Sequence, residues 1–176
     1  MQPPLRDEQA RAVKTLLYQP ISVMFVRALQ PFWNEDRRPA SMWTNGIVGS
    51  VAAQRFGRTD DEITGLMVQA RGELSHLWDR LGQERAKRLV VEEIERLRPA
   101  AKGKLKATFL QSWSMDRFSG GDWSVFSPGQ ASMVEAMAKP AGRMHFAGEH
   151  TAPTNRGLEA ALESSERVAL EVLELL

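Results

Sequence analysis

The sequence contains no cysteine, which excludes disulfides, thiolate metal sites and cysteine nucleophiles in one step. No segment approaches the ~18 consecutive apolar residues that a membrane-spanning helix needs. The start, Met1-Gln2-Pro3-Pro4-Leu5, runs into charges rather than an apolar stretch, so no signal peptide is visible and a cytoplasmic location is expected. Net charge is nearly absent, at a formal +1, which removes the electrostatic reason to expect nucleic acid or an anionic membrane. The G-x-G-x-x-G turn that holds a dinucleotide pyrophosphate is missing. The nearest glycine clusters, Gly46/Gly49 and Gly120/Gly121, have the wrong spacing and no strand–turn–helix setting. His145 and His150 lie five apart with no third ligand suitably spaced, so no metal is expected.

What is present is an ordinary globular chain. A length of 176 residues with 43% hydrophobic and 26% charged residues is enough for one domain with a real core. Residues 6–17 are acidic early and apolar at Ala10, Val13, Leu16 and Leu17, which predicts a helix ended by Pro20. Ile21 to Leu29 is β-branched and aromatic and predicts a strand. Ser41–Thr44 and Ile47–Phe56 predict two strands joined at Asn45-Gly46, a strong hairpin signal. Thr59 to Glu62 fits a capping box, and the stripe Ile63, Leu66, Met67, Ala70, Leu74, Leu77, Trp78, Leu81 behind it predicts a helix. A second helix is expected from about Gln83 to Arg98, stopped by Pro99. Lys104 to Trp113 predicts a half-buried strand with Leu105, Ala107, Phe109, Gln111 and Trp113 on one face.

The last quarter changes pattern twice. Met144-His145-Phe146-Ala147 is short and largely apolar, a candidate buried strand that Gly148 ends. From Leu158 the spacing becomes helical, with Leu158, Ala161, Leu162, Ser165, Val168, Ala169, Val172 and Leu176 on one face and Thr154 or Asn155 as cap. A strand tip aimed at a helix N-terminus favours an electron-rich ligand edge, because unpaired N–H groups and the helix dipole attract negative charge.

The string GRMHFAGEHTA followed by RGLEAALESSERVA resembles the C-terminal signature of the flavin-containing amine oxidases, the family of monoamine, polyamine and L-amino-acid oxidases. Upstream, SWSMDRFSGGDWSVFSPGQ (Ser112 to Gln130) is similar to the family segment that places S-W, G-G and an aromatic residue before P-G. The resemblance implies an α+β fold. Residues 1–115 would be a partial substrate-binding domain, with a mixed sheet and a helical excursion at about 59–98. Residues 116–176 would be the C-terminal strand and closing helix of a Rossmann-like FAD-binding domain. Family members open with the Rossmann unit whose fingerprint is missing here, so the chain resembles a C-terminal portion, from a truncated frame or one half of a split enzyme.

The same resemblance assigns roles. Glu149 would accept hydroxyl protons near the ribityl and pyrophosphate part of FAD, and Gly148 would let the cofactor approach. Leu158 would offer its backbone amide to the flavin pyrimidine edge, with its side chain in the core, and Gly157 would stand beside it. Monoamine oxidases carry an aromatic cage residue at the Gly157 position, so a two-walled cage is in doubt. Trp123 falls at the other cage aromatic, beside Asp122 at the flavin-linking cysteine; any FAD would therefore be non-covalent. Trp113 matches the S-W tryptophan near the flavin ring, and core packing accounts for both tryptophans nearly as well. Many members also carry a lysine that holds a water at flavin N5; that position lands near Val23, and no lysine lies between Lys14 and Lys87.

The implied reaction is hydride removal from an amine or L-amino acid to FAD, with molecular oxygen reduced to hydrogen peroxide. The small-molecule amine and oxygen would be partners, together with a separately encoded Rossmann half. The rival readings are a non-catalytic fragment, an interaction subunit that completes such a half, and a related flavoprotein acting on a carotenoid or protoporphyrinogen-like substrate.

Overall fold

The computed structural model of the protein describes residues 4–175. In chain order its elements are α1 (Asp7–Thr15), β1 (Leu17–Tyr18), β2 (Ile21–Ala28), α2 (Phe32–Asp36), β3 (Met42–Trp43), β4 (Ser50–Gln54) and β5 (Gly65–Arg71). They continue with α3 (Glu73–Leu81), α4 (Gln83–Leu97), β6 (Leu105–Ser112), β7 (Ser124–Val125), α5 (Ser132–Ala138) and α6 (Gly157–Leu173). Short 3-10 turns lie at Pro99–Ala101 and Glu149–Thr151. Helix and sheet are segregated along the chain, which makes the fold α+β. Compactness divides it into residues 19–122 and residues 4–18 with 123–175, not at the break expected between residues 115 and 116. The N-terminal helix joins the C-terminal segment because Ala12 and Leu16 bury their side chains with Met133, Met137 and Phe126.

In residues 19–122 the sheet order is β3-β4-β5-β2-β6, and each neighbouring pair runs antiparallel. The sheet is thus antiparallel rather than mixed. Its core face carries Met24 and Val26 from β2 and Leu66, Val68 and Ala70 from β5, packed with Trp78 of α3 and Val90 and Ile94 of α4. Trp78 satisfies its indole N–H on the Ile47 carbonyl at 2.9 Å. Arg98, buried behind α4, places a bidentate fork on Asp36 at 2.5 and 2.7 Å and lies over the Phe32 ring. That pairing holds the Asp36 carboxyl below its ordinary range.

Three sequence expectations change here. The helix expected from about residue 59 starts only at Glu73, since residues 65–71 are β5. Leu66, Val68 and Ala70 alternate as well as fitting a helical stripe, and pairing beside β2 both buries them and satisfies their backbone. Thr59–Glu62 closes a turn instead, with the Glu62 N–H on the Thr59 carbonyl and the Glu62 carboxylate accepting from the Arg58 N–H. Asn45-Gly46 lies inside a wider loop, residues 44–49, because β3 and β4 pair Met42 with Val51 and Trp43 with Ser50. Val48 within that loop is fully buried, which a two-residue turn would not allow. Finally β6 changes face part-way. Phe25 pairs with Phe109 and Val26 with Ala107, so Thr108 is an extra residue that donates its hydroxyl to the Phe25 carbonyl. Leu105 and Ala107 pack on the core before this bulge and Leu110 after it, leaving Phe109 and Trp113 exposed.

In the other unit, β1 and β7 form a two-residue ladder, Leu17 with Val125 and Tyr18 with Ser124. The strand expected at Met144–Ala147 does not form: Met144 makes an isolated bridge to Ala141, and 145–147 are irregular. A strand needs a neighbour to take its N–H and C=O groups, and among the described residues none runs alongside. Side chains hold this segment instead. Arg167 donates to the Phe146 carbonyl at 2.7 Å and to the Ala138 carbonyl at 3.0 Å, and the Gly148 N–H donates to Ser164 Oγ at 2.8 Å. The inward face of α6 is accordingly Ala160 and Ser164, both buried, rather than the leucine stripe. Leu158 and Leu162 are 75% and 57% exposed, and Leu176 lies outside the described residues.

Candidate functional site

The turn at Glu149–Thr151 is tied to α6 by the Gly148 N–H, which donates to Ser164 Oγ, and by Arg167, which donates to the Thr151 hydroxyl. Gly148 adopts φ +136°, and a Cβ there would fall 2.5 Å from the His150 ring. Its glycine is therefore required by the backbone and by His150, a reason internal to the protein. Thr151 closes the turn on the Gly148 carbonyl through both its N–H and its hydroxyl. Gly157 opens α6 at φ +65°. The boundary residue is Arg156 rather than Thr154 or Asn155, its side chain makes no capping hydrogen bond, and Asn155 hydrogen-bonds Glu163 instead. The first-turn amides of α6 thus keep their attraction for negative charge.

A cavity of about 240 Å³ opens here, lined by Trp123, Ser124, Glu149, Arg156 and Gly157. Glu149 Oε1 accepts the Ser124 N–H at 2.6 Å. Glu149 Oε2 is buried and accepts no hydrogen bond among the described residues; the Arg156 guanidinium stands off at 3.9 Å and lies over the Phe126 ring. Ser124 is 4% exposed, and its Oγ is likewise buried without a partner. Buried oxygens left unpaired are costly in a protein interior, so the cavity is suited to a ligand that brings hydroxyl or amide hydrogens.

Tyr18 and His150 back this arrangement. The Tyr18 hydroxyl lies 3.3 Å from His150 Nδ1. Burial, aided by the Glu149 charge, pushes the Tyr18 phenol up, and burial pushes the His150 imidazole down against an opposing pull from Glu149. Which of the two groups donates depends on the imidazole tautomer. His145 is engaged separately, its Nδ1 2.7 Å from Glu171, and among the described residues no group of three His, Asp or Glu could hold a metal ion.

Of the residues expected from sequence, Trp123, Glu149 and Gly157 line one cavity and Gly148 supports it. Leu158 follows in the first turn of α6 with its side chain exposed, not in the core. Trp113 lies in the other unit, 42% exposed beyond β6. There Val23 is flanked in register by Gln69 and Gln111. Ser124, Tyr18, Ser164 and Arg167 escaped the sequence reading. Ser124 adjoins Trp123 in the quoted motif, the one signal that could have marked it. A larger cavity between α3, the α3–α4 junction and β6 also holds orphaned oxygens, on Asp79 and Ser112, but none of the expected residues lines it.

Residues 1–173 match the family model described as flavin containing amine oxidoreductase. The chain belongs to that family. An L-amino-acid oxidase of Bothrops moojeni is 22% identical over 176 residues, covering 97% of this chain and 35% of that protein; one of Pseudechis australis is 23% identical with 34% of its length covered. Among solved structures, a putrescine oxidase triple mutant redesigned for cofactor binding aligns with a TM-score of 0.79 at 18% identity, over 99% of this chain and 39% of that one. Cyclohexylamine oxidase from Brevibacterium oxydans aligns at 0.69 and 17% identity, over 96% and 40% respectively. The fold is shared, and this chain spans about a third of the length of these curated relatives.

Proposed function

We propose that this chain supplies the flavin-facing C-terminal part of an FAD-dependent oxidase acting on an amine or an L-amino acid. The observation that supports the reading is the buried Glu149 Oε2, which accepts no hydrogen bond among the described residues, in a cavity at the N-terminus of α6, whose boundary residue Arg156 makes no capping hydrogen bond. FAD, when bound non-covalently, would supply the hydride acceptor and the reduction of oxygen to hydrogen peroxide. The protein's share is placement and charge. Glu149 accepts hydroxyl protons, Gly157 and the Leu158 amide present the helix N-terminus to the electron-rich flavin edge, and the Gly148 turn keeps Glu149 in place. Trp123, which lines the cavity, is proposed to stand on the reactive side, where its indole confines the amine and excludes water. With glycine at 157 the aromatic cage has one wall fewer at that position, which favours a bulkier or more polar substrate than a simple arylalkylamine. A dinucleotide-binding part, on the same or a separate polypeptide, is proposed to pack against the exposed leucines of α6.

Titration of FAD with the purified chain, followed by flavin fluorescence and the visible spectrum, tests this reading. Saturable binding with a shifted spectrum is expected. Glu149→Gln, which keeps the shape but loses the charged acceptor, should weaken it by about tenfold or more. Equal affinity in the two proteins would overturn the role of Glu149, and absence of binding would overturn the reading for this chain.

A further inference from the structure

The cavity beside Glu149 contains a second orphan that the family signature does not mark. Ser124 sits on β7, opposite Tyr18, and is 4% exposed. Its N–H is committed to Glu149 Oε1 at 2.6 Å, so the serine and the carboxylate are adjacent. Its hydroxyl is buried and has no hydrogen-bond partner among the described residues, and the residue is part of the cavity lining. A serine hydroxyl both donates and accepts, whereas an ionised carboxylate only accepts. Side by side, the two match a ligand that offers more than one hydroxyl in sequence. A lone carbonyl, which only accepts, would leave the carboxylate oxygen unsatisfied.

We propose that Ser124 is a ligand-contacting residue that acts with Glu149 as a two-point grip on a polyol chain, the ribityl portion of the flavin. This rests on the reading of the cavity as a flavin site and adds Ser124 to it. Ser124 Oγ donates to one hydroxyl oxygen or accepts from it, and Glu149 Oε2 accepts from a neighbouring hydroxyl. The ladder from β7 to Tyr18, and the Tyr18–His150 contact, fix the turn from which Glu149 projects.

The test compares riboflavin with lumiflavin, which has the same ring without the polyol, by fluorescence quenching on the full chain. Ser124→Ala should weaken riboflavin about fivefold, the size expected of one neutral hydrogen bond, and leave lumiflavin unchanged. Ser124→Thr, which restores a hydroxyl, should recover most of the loss, and near-ultraviolet circular dichroism reports whether each variant keeps its fold. Unchanged riboflavin affinity in folded Ser124→Ala overturns the proposal, as does an equal loss for both flavins, which would mark a general disturbance of the pocket. If the wild-type chain binds lumiflavin and riboflavin equally, the polyol grip fails while the flavin reading stands. If it binds neither, the flavin reading fails and this inference with it.

Discussion

His150 shows how a side chain can serve a site without being its chemistry. Its ring occupies the space that a Cβ on Gly148 would need, and its Nδ1 meets the Tyr18 hydroxyl. Burial depresses its affinity for protons relative to the unfolded chain. The unfolded state therefore binds more protons than the folded state just below the ordinary histidine pKa, so stability rises with pH through that window and falls on acidification. Glu171, held down chiefly by its hydrogen bond from His145, and Asp36, held down by Arg98, lose their contributions only further into acid, below the ordinary carboxylate range. Urea denaturation as a function of pH should show a decline in stability as pH falls below about 6.5 that His150→Gln removes. An unchanged slope in the variant would assign the decline elsewhere. Little of this was legible in the sequence. Gly148 and Glu149 stood out by motif, but Tyr18 and Ser124 lie 132 and 26 positions from His150, and only the ladder between β1 and β7 makes them neighbours.

At the scale of elements, the sequence was most legible where one periodicity had no competitor. α4 and β2 fall close to their expected bounds. β5 was misread because Leu66 and Ala70 satisfy a helical step and a strand step alike, and the choice was made by the unpaired edge of β2. The face change in β6 depends on Thr108 facing no partner, a property of the pair and not of either strand. α6 was legible as a helix and wrong in its face, since Ser164 and Arg167 are drawn inward to hydrogen-bond an irregular segment. Its start makes a direct prediction. Gly157→Ala forces a Cβ onto φ +65° and should cost about 1–2 kcal/mol, whereas Leu158→Ala, one residue on and exposed, should change stability by no more than about 0.5 kcal/mol. Denaturant midpoints for the two variants check this; equal effects would mean that the helix begins beyond Gly157.

For the whole molecule, the family match spans nearly the full chain, while the curated relatives are about three times longer. The signature blocks at Ser112–Gln130 and Gly142–Ala152 were enough to find the family, because glycine, tryptophan and glutamate at those positions are tied to backbone geometry and to a cavity. They did not reveal that residues 4–18 pack with the C-terminal segment, which depends on small contacts such as Ala12 with Met133 and Met137. No helix among the described residues is long and apolar enough to cross a membrane. The central claim is that the cavity bounded by Ser124, Glu149 and Gly157 holds the flavin. Backbone amide chemical shifts of the isotope-labelled chain, recorded with and without FAD, test it most directly at this size. The account predicts the largest changes at Ser124, Gly148, Glu149, Gly157 and Leu158. Changes centred on the Asp79–Ser112 cavity, or none at saturating FAD, would contradict it.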